Sequence, residues 1–470
     1  MEHQQEIAYQ LDLFTEQATN AVGPSDKCED VNQTQARQAR QINKEGRQGR
    51  ALTSNLMGIV CSRENLKQAY KRVKRNKGVA GIDQMPTQQF GEWFRTNGGL
   101  LTQALLKGKY QPQGVKEVEI SKPKGGVRKL GIPTVTDRII QQAIAQVLSP
   151  IYEREFSQRS YGFRPRRNVQ MALQKASGYV DEGKNVVVDM DMESFFDEVN
   201  HDRLMYQLST RIGDKTLLRL IRKYLRSGIL SGGLMSQRTK GTPQGSPLSP
   251  LLSNIVLDEL DKELEKRGHC FVRYADDFSI YVRSYKAGER VKRSISKFIT
   301  DKLKLKLNKQ KSTVCDVNKA TLLGHTILMD GRLIIAKESV ARFKSSVRRI
   351  TRRNRGVSIK QIISELNQKL RGWFEYFKRT SSKGLFRELN GWIRRRLRCI
   401  RIKQTKRTIG LVRFLKKHGI VTYQSWIIAL SGVSLWRKSA APQIQQAMNK
   451  HWFDELHLFS LSTNYEKLKH

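Results

Sequence analysis

Short runs of alternating apolar and polar residues recur along the chain before residue 336, and this is the pattern of half-buried strands. Residues 118–132 and residues 270–283 each carry two such runs on either side of a turn signal, so each segment is predicted to form a β-hairpin. Val186–Val188 is apolar at successive positions, which predicts a buried central strand. Strands of these two kinds in one region favour a mixed sheet-and-helix fold.

Apolar residues at helical spacing separate these strands. The helices are predicted near residues 137–148, 251–260 and 291–303. From about Ala336 onward the pattern becomes wholly helical and strongly basic, with an apolar stripe running from Ile362 to Phe377. The sequence therefore predicts an α+β region followed by a helical module.

Composition divides the chain further. The first residues are polar and show no apolar periodicity long enough to build a core, so they are expected to form a mobile extension. The tail after residue 410 returns to mixed composition and is expected to form a small packed helical region. The predicted segments are an extension at 1–55, an α+β domain at 56–335, a helical domain at 336–410 and a C-terminal region at 411–470.

Net charge narrows the class of partner. Lys and Arg number 86 against 43 Asp and Glu, which gives a formal charge of +43. Between Gly391 and Gly419 there are eleven Lys or Arg residues and no acid, and such an unopposed run predicts a polyanionic partner. No apolar run is long enough to span a membrane, the N-terminus resembles no signal peptide, and the five cysteines are widely spaced. We therefore expect a cytoplasmic nucleic-acid-binding protein without a zinc site or a disulfide framework.

Carboxylates stand at the ends of the central predicted strands. Asp276 and Asp277 occupy the tip of the second hairpin, where two adjacent acids are either an ordinary polar turn or a site for a divalent cation. Asp189 and Asp191 end the buried strand and share one face by the period of two. A carboxylate at the end of a buried strand needs a partner, so one of these two acids is predicted to face the hairpin tip.

Two basic segments could serve such a site. The first hairpin carries Lys122 and Arg128 beside flexible glycines and could close over a triphosphate, although a solvated edge strand has the same pattern. The loop 160–168 combines two aromatic residues with three arginines, among them Arg164, and could stack bases while holding phosphate. Gly241–Ser246 opens a helix with glycines that permit close approach of a ligand.

Several ordered motifs resemble those of the group II intron-encoded reverse transcriptases and maturases, from about Leu66 to the end of the chain. They are Lys122–Pro133, Tyr161–Pro165, Asp191–Asp197, Gly241–Pro250, Tyr274–Asp277, Leu307–Lys311, Leu323-Gly324 and Gly372-Trp373. The resemblance implies a right-hand polymerase with fingers and palm, an α-helical thumb or maturase domain and a small C-terminal DNA-binding region.

The resemblance also implies roles for residues. It selects Asp191 over Asp189 as the third catalytic acid, with Asp276 and Asp277. Two Mg²⁺ ions, with Mn²⁺ as a possible substitute, would be held by these three side chains and the backbone carbonyl of Met192. Residues implied to surround the dNTP are Lys122, Arg128, Phe196, Gln244 and Lys311. Phe195 competes with Phe196 as the residue that excludes a ribose 2′-hydroxyl, and Lys309 competes with Lys311 as proton donor.

The implied partners are group II intron RNA, an RNA template with a DNA primer, target DNA and dNTPs, assembled in a ribonucleoprotein of unspecified oligomeric state. The arginines expected to contact nucleic acid are Arg164, Arg348, Arg349, Arg352, Arg353, Arg394, Arg395, Arg396 and Arg398. The C-terminus lacks the paired Cys and His residues of the endonuclease that many relatives carry, so we expect no second-strand cleavage by this chain. Two other functions fit the same motifs: an RNA-binding splicing factor with a vestigial palm, and a related reverse transcriptase used in repair or defence.

Overall fold

The computed structural model describes residues 53–121, 127–231, 234–236, 239–243 and 245–468. The chain divides into two compact units, the first ending at Asp316 and the second beginning at Val317. Within the described part of the chain, no helix is both long enough and apolar enough to cross a membrane.

The first unit mixes helices with two four-stranded sheets. Its helices are α1 (Leu56–Val60), α2 (Arg63–Arg75), α3 (Phe90–Leu106), α4 (Val135–Glu153), α5 (Val169–Asp181), α6 (Phe195–Glu198), α7 (His201–Ser209), α8 (Lys215–Arg226), α9 (Ser249–Lys266) and α10 (Tyr285–Phe298). Its strands are β1 (Val115–Ser121), β2 (Val127–Ile132), β3 (Val186–Met190), β4 (Ile229–Ser231), β5 (Leu234–Ser236), β6 (Cys270–Tyr274), β7 (Asp277–Val282) and β8 (Thr313–Asp316).

The sheet that positions the site has the order β6-β7-β3-β8, and all its pairs are antiparallel. The apolar strand β3 lies inside this sheet with Val187 and Val188 buried, as the continuous apolar run predicts. Helix α9 packs against it with an apolar face that includes Leu257 and Leu260. The carboxyl end of β3 and the β6–β7 turn therefore reach the same edge of a rigid sheet.

A second sheet holds the predicted basic hairpin. Its order is β2-β1-β4-β5, where β1 and β2 are antiparallel and β1 runs parallel to β4. Helix α4 follows directly. It begins at the N-cap residue Thr134, whose hydroxyl accepts a hydrogen bond from the backbone of Asp137.

The second unit is helical apart from one small hairpin. It contains the strands β9 (His325–Ile327) and β10 (Leu333–Ile335), then α11 (Lys337–Ile350), α12 (Ile359–Phe377), α13 (Lys383–Gln404), α14 (Thr408–Lys417), α15 (Thr422–Leu430), α16 (Leu435–Lys438), α17 (Pro442–Ala447), α18 (Lys450–Glu455) and α19 (Leu461–Lys467). Its core joins α11, α12 and α13 through Phe343, Trp373 and Phe386, the stacked rings of the first two lying 4.1 Å apart.

These elements confirm the predicted α+β class and both predicted hairpins. The division at Asp316 precedes the predicted start of the helical domain at 336. The β9–β10 hairpin belongs to the second unit because His325 packs on Tyr376 and Phe377 of α12. The extension at 1–55 lies almost wholly outside the described residues, so that prediction stays a prediction.

Candidate active site

A tight turn presents the paired acids. In the β6–β7 hairpin Tyr274 is opposite Asp277, so Ala275 and Asp276 form the two-residue turn. Ala275 has a φ of 58°, the left-handed conformation that two-residue hairpin turns use at their first central position. The strained turn holds the two adjacent acids at the end of the hairpin.

The register of the neighbouring pair brings in a third acid. Strands β3 and β7 pair from Val186 with Val282 to Met190 with Phe278. Asp191 directly follows Met190, the last paired residue of β3, and is close enough for its charge to raise the pKa of Asp277. The three acids that the sequence predicted therefore meet at one sheet edge.

The cluster is strained electrostatically. The pKa of Asp277 is raised to about 7, first by desolvation and then by the charges of Asp276, Asp189 and Asp191. Asp189 accepts a hydrogen bond of 3.1 Å from the Ser279 hydroxyl, and burial raises its pKa to about 6. Asp189 is thus a fourth acid in the field of the site, on the same strand face that the period of two predicted.

A lysine offsets part of this negative charge. The Nζ atom of Lys311 lies 3.2 Å from Oδ2 of Asp191, and this cation lowers the pKa of Asp277. The turn before it is shaped by Asn308, whose side chain accepts hydrogen bonds from the backbone of Gln310 and Lys311. This ion pair places Lys311 at the acids, which favours it over Lys309 as the functional lysine.

The donor set fits a hard divalent cation, because carboxylate oxygens are the preferred ligands of Mg²⁺ and Mn²⁺ and their crowding leaves negative charge to neutralise. No three Asp, Glu, His or Cys side chains within the described ranges are already arranged to ligate one ion. The acids would therefore turn towards a bound ion, and Lys311 now contacts one of them. Met192, whose carbonyl the resemblance adds to the ligands, is buried and bridged to Leu307.

The two candidate aromatic residues differ in environment. Phe195 is 2% exposed and belongs to the core, whereas Phe196 is only half-buried and packs edge-on against it. A glycine loop is tied to this segment, because Thr242 N donates to the Phe196 carbonyl and Gly241 N donates to that of Val199. The geometry favours Phe196 as the residue that faces a ligand.

Gly241 itself cannot be replaced without strain. It has a φ of 86°, and an added Cβ would lie 2.9 Å from the backbone of Phe196 and Asp197. Lys122 and Gln244 lie outside the described residues, and of Arg128 only the backbone, opposite Ile120 in the hairpin, is described. The predicted triphosphate contacts therefore stay predictions.

The loop 160–168 departs from its prediction. The side chain of Arg164 is 1% exposed, forms an ion pair with Glu153 and donates to the carbonyls of Ser157 and Ser160. Its guanidinium is enclosed by protein and stabilises the loop from within, so the expectation that it contacts nucleic acid is corrected. Gly162 packs so closely on the β6–β7 hairpin that a Cβ there would lie 2.2 Å from the Ala275 nitrogen.

The predicted basic residues of the second unit form two groups. The exposed group lies at the end of α11 and just beyond it; its members are Arg348, Arg349, Arg352 and Arg353. An open groove of about 450 Å³ is lined by Ser345, Ser346, Arg348, Arg349, Arg352 and Arg396. Exposed arginines around an open groove are suited to phosphate.

Three of the four arginines in the α13 group contact other residues of the second unit. Arg395 lies 4.1 Å from the ring centre of Trp436, and Arg396 donates to the Thr351 hydroxyl. Arg398 donates to the Met448 carbonyl, and burial lowers its pKa to about 10. Arg394 is half-buried. Sequence alone could not separate these residues from the exposed group, because their partners are distant in the chain.

Comparison with known families matches both units. Residues 120–327 match the model described as reverse transcriptase (RNA-dependent DNA polymerase), and residues 340–419 match that described as group II intron, maturase-specific domain. The first match contains every acid of the cluster, and the second contains the groove.

Individual relatives agree with these matches. Protein YkfC of Escherichia coli is 31% identical over 58% of this chain and 82% of its own length. The group II intron-encoded protein LtrA of Lactococcus lactis is 30% identical over 55% of this chain and 54% of its own length. The putative COX1/OXI3 intron 1 protein of Saccharomyces cerevisiae is 31% identical over 46% of this chain and 26% of its own length. The alignments thus span about half of LtrA and a quarter of the yeast protein.

Proposed function

Because this chain belongs to the family of group II intron-encoded reverse transcriptases and maturases, we propose that it copies RNA into DNA at the cluster of Asp191, Asp276 and Asp277. The observation that carries the proposal is the meeting of these acids at one sheet edge, with the pKa of Asp277 raised to about 7 by desolvation of its carboxyl group and by the charges of its neighbours. Perturbed carboxylates concentrated at one position are a mark of a functional site.

The acids would hold two Mg²⁺ ions, and Mn²⁺ would satisfy the same oxygen ligands. Bound there, the ions supply activation of the primer 3′-hydroxyl and neutralisation of the departing pyrophosphate. Lys311 lies beside Asp191 and would be released from it to face the triphosphate as a proton donor. Phe196 would lie against the sugar and exclude a 2′-hydroxyl, held in place by the glycine loop at Gly241.

The helical unit would hold intron RNA and so assist splicing and retrohoming. Its exposed arginines around the groove at α11 support phosphate contact, and the high net positive charge of the chain supports a polyanionic partner. We propose a ribonucleoprotein with intron RNA that also engages a DNA primer, target DNA and dNTPs. Residues 411–470, which continue the same helical unit, would contact DNA.

The experiment is primer extension on an RNA template by the wild-type chain and by Asp277→Ala. We expect synthesis of cDNA to disappear in the variant, because the proposed pair of ions loses a ligand, while the affinity for intron RNA and the assistance of splicing survive. Asp181→Ala, an exposed acid at the end of α5, is the matched control and should extend the primer normally.

If Asp277→Ala still extends a primer, the assignment of the acids is wrong. If the wild-type chain binds intron RNA and promotes splicing but adds no nucleotide, the RNA-binding splicing factor with a vestigial palm replaces the polymerase.

A further inference from the structure

A fully buried ion pair lies behind the catalytic hairpin. Arg273 on β6 donates from Nε and Nη2 to the two carboxylate oxygens of Asp261 on α9, at 2.7 and 2.6 Å. Both side chains are 0% exposed. A buried pair of this kind gains little stability over apolar residues of the same volume, so its presence calls for another explanation, such as structural specificity.

The remaining nitrogen of the guanidinium reaches the hairpin tip. Nη1 of Arg273 donates to the Ala275 carbonyl and to Oδ1 of Asn254, each at 2.9 Å. Ala275 has left-handed φ and directly precedes Asp276. One rigid planar group therefore connects the core helix to the peptide unit that carries the paired acids.

The loop at residues 161–162 is also hydrogen-bonded to this network. Asn254 donates from Nδ2 to the Gly162 carbonyl at 2.9 Å, and Tyr161 N donates to the Arg273 carbonyl at the same distance. The close packing of Gly162 on Ala275 leaves no room for a side chain at this point. The hairpin tip is therefore fixed between α9 and the loop at 161–162.

We propose that Arg273, Asp261 and Asn254 are positioning residues that set the backbone at Ala275 and thereby the orientation of the two adjacent acids. A fully hydrogen-bonded buried network defines a single geometry, which an apolar core of the same volume would not. Displacement of a reacting group by about 1 Å can lower a rate about 100-fold. This inference rests on the proposed polymerase function.

Two substitutions remove the hydrogen bonds that hold the hairpin tip and leave the side chain close to its original size or charge. Arg273→Lys keeps a cation beside Asp261 but cannot also donate to the Ala275 carbonyl as the fork does. Asn254→Leu keeps the branched shape of the side chain and removes the hydrogen bonds to Arg273 and Gly162. In each variant we expect the rate of single-nucleotide addition at saturating dNTP to fall about 100-fold. The KM for dNTP and the affinity for primer–template should change less than about threefold.

Matched controls lie on the same helix. Ser253→Ala removes a buried hydroxyl that donates to the Ser249 carbonyl of α9 itself. Glu259→Gln breaks an ion pair with Arg203 away from the hairpin. Both controls should retain the wild-type rate of nucleotide addition. Their melting temperatures show how much stability the protein can lose without a loss of rate, and the test variants are compared with that range.

Binding of Mn²⁺ alone, measured by electron paramagnetic resonance without nucleotide, gives a readout independent of turnover. We expect about 10–100-fold weaker binding in the two test variants and wild-type binding in the controls, as for other residues that orient metal ligands. The combined variant should lose little more than the worse single variant, because both act through the same guanidinium.

The inference would be overturned if all variants bound Mn²⁺ equally. It would also be overturned if the rate of nucleotide addition followed the melting temperature in test and control variants alike. A wild-type chain that adds no nucleotide would instead defeat the proposed function, and the Mn²⁺ measurement would still report on the hairpin.

Discussion

Neutralising one acid of the cluster should stabilise the ion-free protein while abolishing its activity. The substitution is Asp277→Asn, which preserves the size of the side chain and removes its charge. In the folded chain the pKa of Asp277 is raised from 3.8 to about 7. Between these values the folded state holds a proton that the unfolded state has released, so folding becomes less favourable as the pH rises.

The size of the effect follows from that shift. A rise of about three units corresponds to about 4 kcal/mol if it is fully expressed. Protein atoms around the Asp277 carboxyl group desolvate it, but the side chain as a whole remains exposed to solvent, and screening by this solvent reduces the effect. We therefore expect Asp277→Asn to gain about 1–2 kcal/mol at pH 8. The gain should fall below about half at pH 5, where the folded wild-type carboxyl is largely protonated.

The assay is calorimetric melting in EDTA at pH 8 and pH 5, following the transition of the unit that ends at Asp316. We expect the variant to melt about 2–4 °C above wild type at pH 8. Saturating Mg²⁺ should raise the melting temperature of wild type and not that of the variant. Asp181→Asn, which neutralises an exposed acid away from the cluster, should show neither effect.

Equal melting temperatures of wild type and Asp277→Asn at pH 8 would refute the electrostatic reasoning. A gain that persists undiminished at pH 5 would also refute it, because the gain would then not arise from the charge of Asp277.

Two further predictions concern selection of the sugar and binding of RNA. Phe196→Val should raise the kcat/KM for rNTP relative to dNTP by about 10–100-fold, as measured by single-nucleotide addition. Phe195→Leu, the control in the core, should lower the melting temperature without changing this ratio. Equal discrimination between rNTP and dNTP in both variants would contradict the assignment of Phe196. Replacing the four exposed arginines by Gln should reduce the slope of log affinity for RNA against log salt by up to about 3, at about 0.7 for each phosphate that is no longer neutralised, as measured by filter binding. These four are Arg348, Arg349, Arg352 and Arg353. Arg398→Gln should mainly lower stability, and an unchanged slope in the fourfold variant would exclude the groove from the RNA interface.

Local patterns predicted the frame of the site. The hairpin at 270–283 and the buried strand at Val186–Val188 follow from side-chain alternation and continuous apolarity, which depend only on neighbours in the chain. Asp189 and Asp191 could not be separated by period alone, because both share one face. The register of β3 against β7 places Asp189 opposite Ser279, where the two side chains form a hydrogen bond, whereas Asp191 follows Met190, the last paired residue of β3.

Partners distant in the chain account for what the sequence missed. Arg164 has the composition of a nucleic-acid-binding residue, but Glu153 and two carbonyls enclose it. The short strands β4 and β5 were not predicted, because β4 depends on a parallel partner more than a hundred residues earlier. The sequence analysis did not single out Arg273, because its partner Asp261 lies on α9 and meets it only in the folded chain.

The strand order β6-β7-β3-β8 has a consequence for when the enzyme becomes active during its synthesis. The last strand pairs with β3 only after residue 316 has been made, and the loop that aims Lys311 at Asp191 precedes that strand directly. At about 5–20 residues per second, translation to this point takes roughly half a minute. Pairing of strands that are far apart in the sequence is also slow, because the entropy cost of closing the loop comes before the stabilising contacts form. We therefore expect no nucleotide addition by the nascent chain while its N-terminal helices fold, and none by a product truncated before β8, which would lack an organised site.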